Sequence, residues 1–124
     1  LDIFPTLCDC LDLPVPGSVD GTSLLPAMQE PVCSIRPSHF YGYRSCQRAV
    51  RNERFKLIEY VTVFGRTTQL FDVQEDPWEM NNLADNSEYE KHVEELRSEL
   101  RQWRQTAGDT RSSEKAFWEG MESA

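Results

Sequence analysis

Glycine is scarce in this chain and proline not enriched, six and seven of 124 residues. That excludes a collagen-like or low-complexity polymer. Long uncharged apolar runs are absent, and none approaches the ~20 residues needed to cross a bilayer, so no membrane span is expected. No charged-then-apolar leader stands at the start. Basic residues are outnumbered, 13 Lys and Arg against 21 Asp and Glu, for a net charge of -8. A general nucleic-acid binder needs the opposite balance to displace counterions, so no nucleic-acid partner is expected. Histidine occurs twice, as His39 and His92, which leaves little for an imidazole-based metal or nucleophile site. The sequence also lacks a Gly-x-Ser-x-Gly elbow, a phosphate loop and a His-Glu-x-x-His pair.

What is present suits a folded domain. The 14.4 kDa chain is 39% hydrophobic and 27% charged, with a mean hydropathy of -0.60. A chain of this size buries about two-thirds of its unfolded surface, enough for a core. Charge is segregated. Residues 1–35 carry five acids and no base, and residues 67–124 carry fourteen acids against six bases. Residues 36–66 carry Arg36, Arg44, Arg48, Arg51, Arg54, Lys56 and Arg66 against Glu53 and Glu59. This cationic segment either faces an anionic ligand or pairs internally with the acidic C-terminal part.

The four cysteines, Cys8, Cys10, Cys33 and Cys46, are read as buried free thiols. One residue between Cys8 and Cys10 is too few for a zinc knuckle. The carboxylates Asp9 and Asp12, and Asp72, Glu75 and Asp76, are read as solvated or capping groups rather than metal ligands.

Hydrophobic periodicity gives the elements. Leu1, Ile3, Phe4, Leu7, Cys8, Leu11 and Leu13 recur with helical spacing around Pro5. So apolar a stripe with so little before it is expected to pack on something, as at the start of a fragment. Pro14–Ser18 reads as a turn, Leu24–Met28 as one short helical turn and 29–38 as a loop. Strands are expected over Ser38–Arg44, Gln47–Arg51, Phe55–Val63 and Gln69–Val73, paired as antiparallel hairpins. Phe55–Val63 is partly apolar on both faces, as a central strand should be. Ser87 and Glu90 read as a capping box opening a helix. Tyr89, Val93, Leu96, Leu100 and Trp103 form one stripe along that helix, which ends near Thr106 with Gly108 as its stop. The tail, 109–124, is polar apart from Phe117 and Trp118, and either a short helix or no fixed structure fits it. The expected class is α+β: a small four-stranded antiparallel sheet packed against one long helix.

His39, Tyr41, Tyr43, Arg44 and Arg48 make the richest polar and aromatic patch. It reads either as an anion-recognising wall, with arginine forking onto a sulfate or phosphate, or as ordinary sheet packing with charged edges.

Four stretches, in this order and spacing, resemble the C-terminal part of the formylglycine-dependent sulfatases of the alkaline-phosphatase-like superfamily. They are Asp2–Leu7, Asp20–Pro26, Arg48–Ile58, and Leu70–Val73 with Glu75–Ala84. The resemblance covers about residues 1–106. It implies that 1–35 ends a large α/β catalytic domain and connects onward, that 36–108 is the sheet-and-helix subdomain, and that 109–124 is a tail. It further implies a missing N-terminal sulfatase domain as partner, a sulfated small molecule or glycan as substrate, and calcium in the complete parent enzyme. No catalytic or metal residue carries over. The Cys/Ser-x-Pro/Ala-x-Arg motif is missing, and Cys33-Ser34-Ile35-Arg36 places its arginine one position early. The family's subdomain borders the active-site cleft, which makes His39 and Arg48 the candidate substrate-binding residues. Arg51, Arg54 and Lys56 are equally candidates for holding the acidic turn at Asp72–Glu79. Two other readings stay open: a stand-alone module that binds an anionic protein or glycan, and a fragment of a related phosphoesterase or phosphonate hydrolase.

Overall fold

The structure is a computed structural model describing residues 1–30 and 34–123. It divides into two compact units, Leu1–Pro37 and Ser38–Ala124.

The first unit holds helix α1 (Ile3–Cys10) and the short helix α2 (Leu25–Gln29). Pro5 sits in the first turn of α1, where a missing N–H costs nothing. The side chains of the Asp2–Leu7 stretch fasten the unit together. Asp2 Oδ1 accepts from the Thr22 amide at 2.9 Å and from Arg36 Nη2 at 2.7 Å. Thr6 Oγ1 accepts from the Leu24 amide at 2.9 Å and donates to the Asp2 carbonyl at 2.6 Å. Gly21 lies so close to the start of α1 that a Cβ there would stand 2.2 Å from the Leu1 carbonyl oxygen, so only glycine fits. The spacing Asp-x-x-x-Thr followed by Asp-Gly-Thr-Ser is therefore a tertiary clasp. Cys8 is buried and Cys10 exposed on the other side of the helix, both as free thiols. The expectation of buried thiols thus fails for Cys10 and for half-buried Cys46, while Cys33 lies outside the described residues. Ile3, Phe4, Leu7 and Leu11 form an exposed apolar stripe on α1.

The second unit is a four-stranded antiparallel sheet in the order β1 (His39–Tyr43), β2 (Gln47–Arg51), β3 (Phe55–Thr62), β4 (Gly65–Asp72). Helices α3 (Glu90–Thr106) and α4 (Ser112–Glu122) follow it. Strand β4 begins four residues earlier than expected. The turn at Thr62–Gly65 is tight, with Gly65 at φ 125, so Thr67 and Thr68 already pair with Tyr60 and Glu59. Asn82 closes the outer edge of β4: its Oδ1 accepts from the Leu70 amide at 2.9 Å, and the Leu83 amide donates to the Leu70 carbonyl at 2.8 Å.

The helix start also differs from the expected capping box. Asn86, one residue before Ser87, accepts from the Glu88 amide, and Ser87–Tyr89 forms a 3₁₀ turn before α3 begins. The other end of α3 follows expectation. Gly108 takes φ 64, its amide bonds to the Gln105 carbonyl, and the Asp109 amide bonds back to the Arg104 carbonyl. Those two bonds make a Schellman stop.

One sheet face and both helices enclose the core. Val50, Leu57 and Leu70 meet Val93, Leu96 and Leu100 of α3, and Phe117, Trp118 and Met121 of α4 complete the cluster. Each such side chain contributes about 1.5–3 kcal/mol on burial. The tail is thus a second core helix. Its Phe-Trp pair with Met121 three residues on supplies too short a periodic signal to mark a helix without its partner surface. Among the described residues no helix is long and apolar enough to cross a membrane.

Candidate functional site

The antiparallel register sorts the sequence-predicted patch onto two faces. Gly42, Arg48, Glu59 and Thr68 lie in one row under the helices. His39, Tyr41 and Tyr43 stand on the opposite, open face. Arg44 sits between them in the β1–β2 turn at φ 49, its guanidinium 5.5 Å from the Tyr43 ring.

Arg48 is 1% exposed, and all five of its N–H donors have protein partners. Nε and Nη2 fork onto the two oxygens of Asp109, Nη2 also reaches Glu114 at 2.6 Å, and Nη1 donates to the Arg44 and Gln47 carbonyls at 2.8 and 2.7 Å. The guanidinium lies 5.0 Å from the Phe117 ring. Burial works against the Arg48 charge, but its bonds to Asp109 and Glu114 more than offset this and hold its pKa above the ordinary value. The Ser113 hydroxyl and then Arg48 hold the Glu114 carboxyl below the usual range. No donor is left for a substrate. The structure makes Arg48 a rivet between β2 and the start of α4.

Glu59 forms the second node beneath the helices. It is fully buried, and its carboxylate accepts from Arg66 Nη2 and Nε, from Arg97 Nε at 2.7 Å, and from Thr68 Oγ1. Arg66 also donates to the Met121 carbonyl at 2.8 Å. The carboxylate ties β3, β4 and α3 together, and Arg66 extends the network to the end of α4.

The acidic turn after β4 consumes two more cations. Arg54 pairs with Asp72 at 2.8 Å and Lys56 with Glu79 at 2.7 Å. Asp72 also caps the Gln74 and Glu75 amides, and Asp76 caps those of Met80 and Asn81. Burial raises the pKa of Asp72, but its bonds to Arg54 and to the two amides prevail and leave it lowered. So the cationic segment pairs internally at Arg48, Arg54, Lys56 and Arg66. The carboxylates at Asp72 and Asp76 cap backbone. Among the described residues no group of three or more His, Cys, Asp or Glu side chains is placed to hold a metal ion.

The open face is what remains available. Its rows are His39–Arg51–Lys56–Phe71, Tyr41–Ala49–Ile58–Gln69 and Tyr43–Gln47–Tyr60–Thr67. Ala49, Ile58 and Phe71 form a small buried floor, flanked by Tyr60 and Val73. Tyr41 and Tyr43 are about half exposed, and His39 and Arg51 are exposed. A shallow depression centred on Ala49 is lined by Tyr41, Gln47, Arg51, Lys56 and Ile58. Sequence reasoning placed His39 on the sheet but missed that Arg51 and Lys56 stand beside it. Period-two alternation across a two-hairpin register carries that signal. Asp109, the main partner of Arg48, had no local signal at all.

Comparison with known proteins gives this geometry a context. A family model described as "N-sulphoglucosamine sulphohydrolase, C-terminal" matches residues 1–106. The Delta 4,5-hexuronate-2-O-sulfatase of Bacteroides thetaiotaomicron is 33% identical over 108 residues, covering 81% of this chain and 22% of that protein. A solved structure in complex with its substrate D-glucosamine-2-N,6-O-disulfate superposes with a TM-score of 0.78 at 27% identity, over 92% of this chain and 25% of that one. The phosphonate monoester hydrolase of Agrobacterium radiobacter gives 0.62 at 28% identity, over 85% and 24%. The chain thus spans about a quarter or less of each of these relatives.

Proposed function

The chain belongs to the N-sulphoglucosamine sulphohydrolase C-terminal family, and from that premise we propose that it is the C-terminal subdomain of a sulfatase, a sulfuric ester hydrolase. In this reading it supports the enzyme and helps to select its substrate, while the nucleophile and the metal ligands lie on residues outside the 124. The observation that carries the reading is the continuity of the match: all four resembling stretches fall within residues 1–106, and the clasp between α1 and the Asp20–Ser23 turn gives the first two a shared structural reason. The proposed partner is an N-terminal sulfatase domain. The exposed stripe Ile3, Phe4, Leu7 and Leu11 supplies an apolar surface for it. The proposed substrate class is a sulfated glycan or small molecule, with His39 as a selecting residue. Calcium, which the resemblance implies for the parent, would be held outside these residues.

The test is turnover of a chromogenic aryl sulfate. The chain alone is expected to show none, and the longer polypeptide carrying an upstream Cys/Ser-x-Pro/Ala-x-Arg segment is expected to be active. Turnover by the 124 residues alone would refute the catalytic incompleteness. The likeness to the phosphonate monoester hydrolase supports a second reading, a phosphonate- or phosphate-ester parent. Assaying the parent on paired sulfate, phosphate and phosphonate esters separates the two.

A further inference from the structure

The helix-covered face of the sheet has spent its charges internally, whereas the open face has not. Arg51 is exposed and lines the depression, and among the described residues no side chain or carbonyl accepts from its guanidinium. Its partner on β3, Lys56, gives two contacts of 2.9 and 2.7 Å to Glu79 and keeps one of its three donors. His39 completes the row on the other side of Arg51. One residue row away, roughly 7 Å along the strands, the Tyr41 ring flanks the depression over Ala49 and Ile58. In a chain of net charge -8, this face carries two cations, a histidine and one bound carboxylate.

We propose that this depression is a binding site for one sulfated saccharide unit: the sugar ring lies over Ala49 against Tyr41, and its sulfate ester is held by Arg51 and Lys56. Three features fit that occupant. Ala49, the smallest side chain of the face, is itself buried and makes the floor of the depression, so a ring above it would rest on the taller side chains of the rim. The Tyr41 ring, paired across from Ala49, offers an apolar surface to the C–H face of a sugar, with the Gln47 amide on the far side of Ala49 from Arg51 for hydroxyls. Arg51 supplies the paired, planar donors that a sulfate's oxygens accept, and Lys56 adds a second positive charge. A flat protein partner would need a larger apolar area than this face offers, because Ile58 and Phe71 are already buried beneath their flanking side chains. The choice of a sulfated ligand rests on the sulfatase reading above, but the site itself does not.

The experiment is an amide-resolved NMR titration of the 124-residue chain with glucosamine 6-sulfate and with a sulfated tetrasaccharide, against unsulfated glucosamine and inorganic sulfate. Saturable shifts at Tyr41, Ala49, Arg51 and Ile58 are expected with the sulfated sugars. Affinity should fall about tenfold for Arg51→Gln, the order of one charge-assisted pair, and for the unsulfated sugar. Tyr41→Ala should weaken the sugars but not inorganic sulfate. Arg111→Gln, in a residue outside the sheet, should change nothing. Shifts confined to other residues, or inorganic sulfate binding as tightly as the sugar sulfate, would overturn the proposal. So would concentration-dependent shifts of these amides without sugar, which would mark the face as a protein contact. Failure here with aryl sulfate turnover intact in the parent removes this site and leaves the family activity standing.

Discussion

Arg48 of β2 and Trp118 of α4 hydrogen-bond to the same oxygen: Asp109 Oδ2 accepts from both Arg48 Nε and Trp118 Nε1. One carboxylate in the loop after α3 therefore fixes the end of a hairpin and the middle of the last helix together. The Schellman stop at Gly108 aims it there. This geometry turns a candidate ligand-binding arginine into a fastener.

Removing that fastener should be costly. Arg48→Met leaves the Asp109 and Glu114 carboxylates facing each other without a counter-charge and should destabilise by about 3–5 kcal/mol in urea unfolding. The double variant Arg48→Met/Asp109→Leu should recover part of the loss. A loss below ~1 kcal/mol for Arg48→Met would show that the network is not holding the fold.

The tail should prove indispensable. Trp118 is 1% exposed and Phe117 fully buried, so Trp118→Ala should cost about 3–5 kcal/mol. Deleting 109–124 should abolish cooperative unfolding and expose dye-binding apolar surface. A deletion variant that melts as sharply as the intact chain would sink this expectation.

Gly120 lets α4 rest directly on the sheet. A Cβ there would stand 2.5 Å from Val61 Cγ1. Gly120→Ala should therefore destabilise by about 1–3 kcal/mol despite alanine's better helix propensity. Val61→Ala in the same chain should restore most of it, which thermal unfolding of the three variants would reveal.

Acid should loosen the turn after β4. The Asp72 pKa is lowered in the fold relative to the unfolded chain, so the unfolded chain binds the extra proton first. The stability Asp72 contributes is full above its unfolded value of about 3.9 and is lost as pH falls through the lower folded value. Glu114 acts in the same direction. Asp72→Asn should flatten the stability–pH curve below about pH 4 and lower the plateau above it. An unchanged acid limb in that variant would refute the assignment.

Much of this molecule is legible in the chain read alone. The stripe Val93, Leu96, Leu100 does form the buried side of α3, because helical spacing is set locally by 3.6 residues per turn. The apolar content of both faces of Phe55–Thr62 marks it as an interior strand, and β3 does lie between β2 and β4. Asp2 with Thr6 and Asp20 with Gly21 are visible as a family pattern, although only the clasp explains the spacing. The capping residue was displaced by one because Asn86 and Ser87 are both competent oxygen acceptors, and the 3₁₀ turn decides between them.

The sequence by itself determined the four strands and the long helix, their order and their antiparallel pairing, since each depends on periodicity and turn chemistry within a few residues; the last helix, α4, it left open. Only the tertiary structure decided which face of the sheet the helices cover. That choice buries Arg48 with an aspartate 61 positions away and leaves Arg51, three residues further along β2, facing outward on the other side. Alternation fixes that the two must lie on opposite faces. Which of them meets water is settled by where α3 and α4 find enough apolar surface to pack.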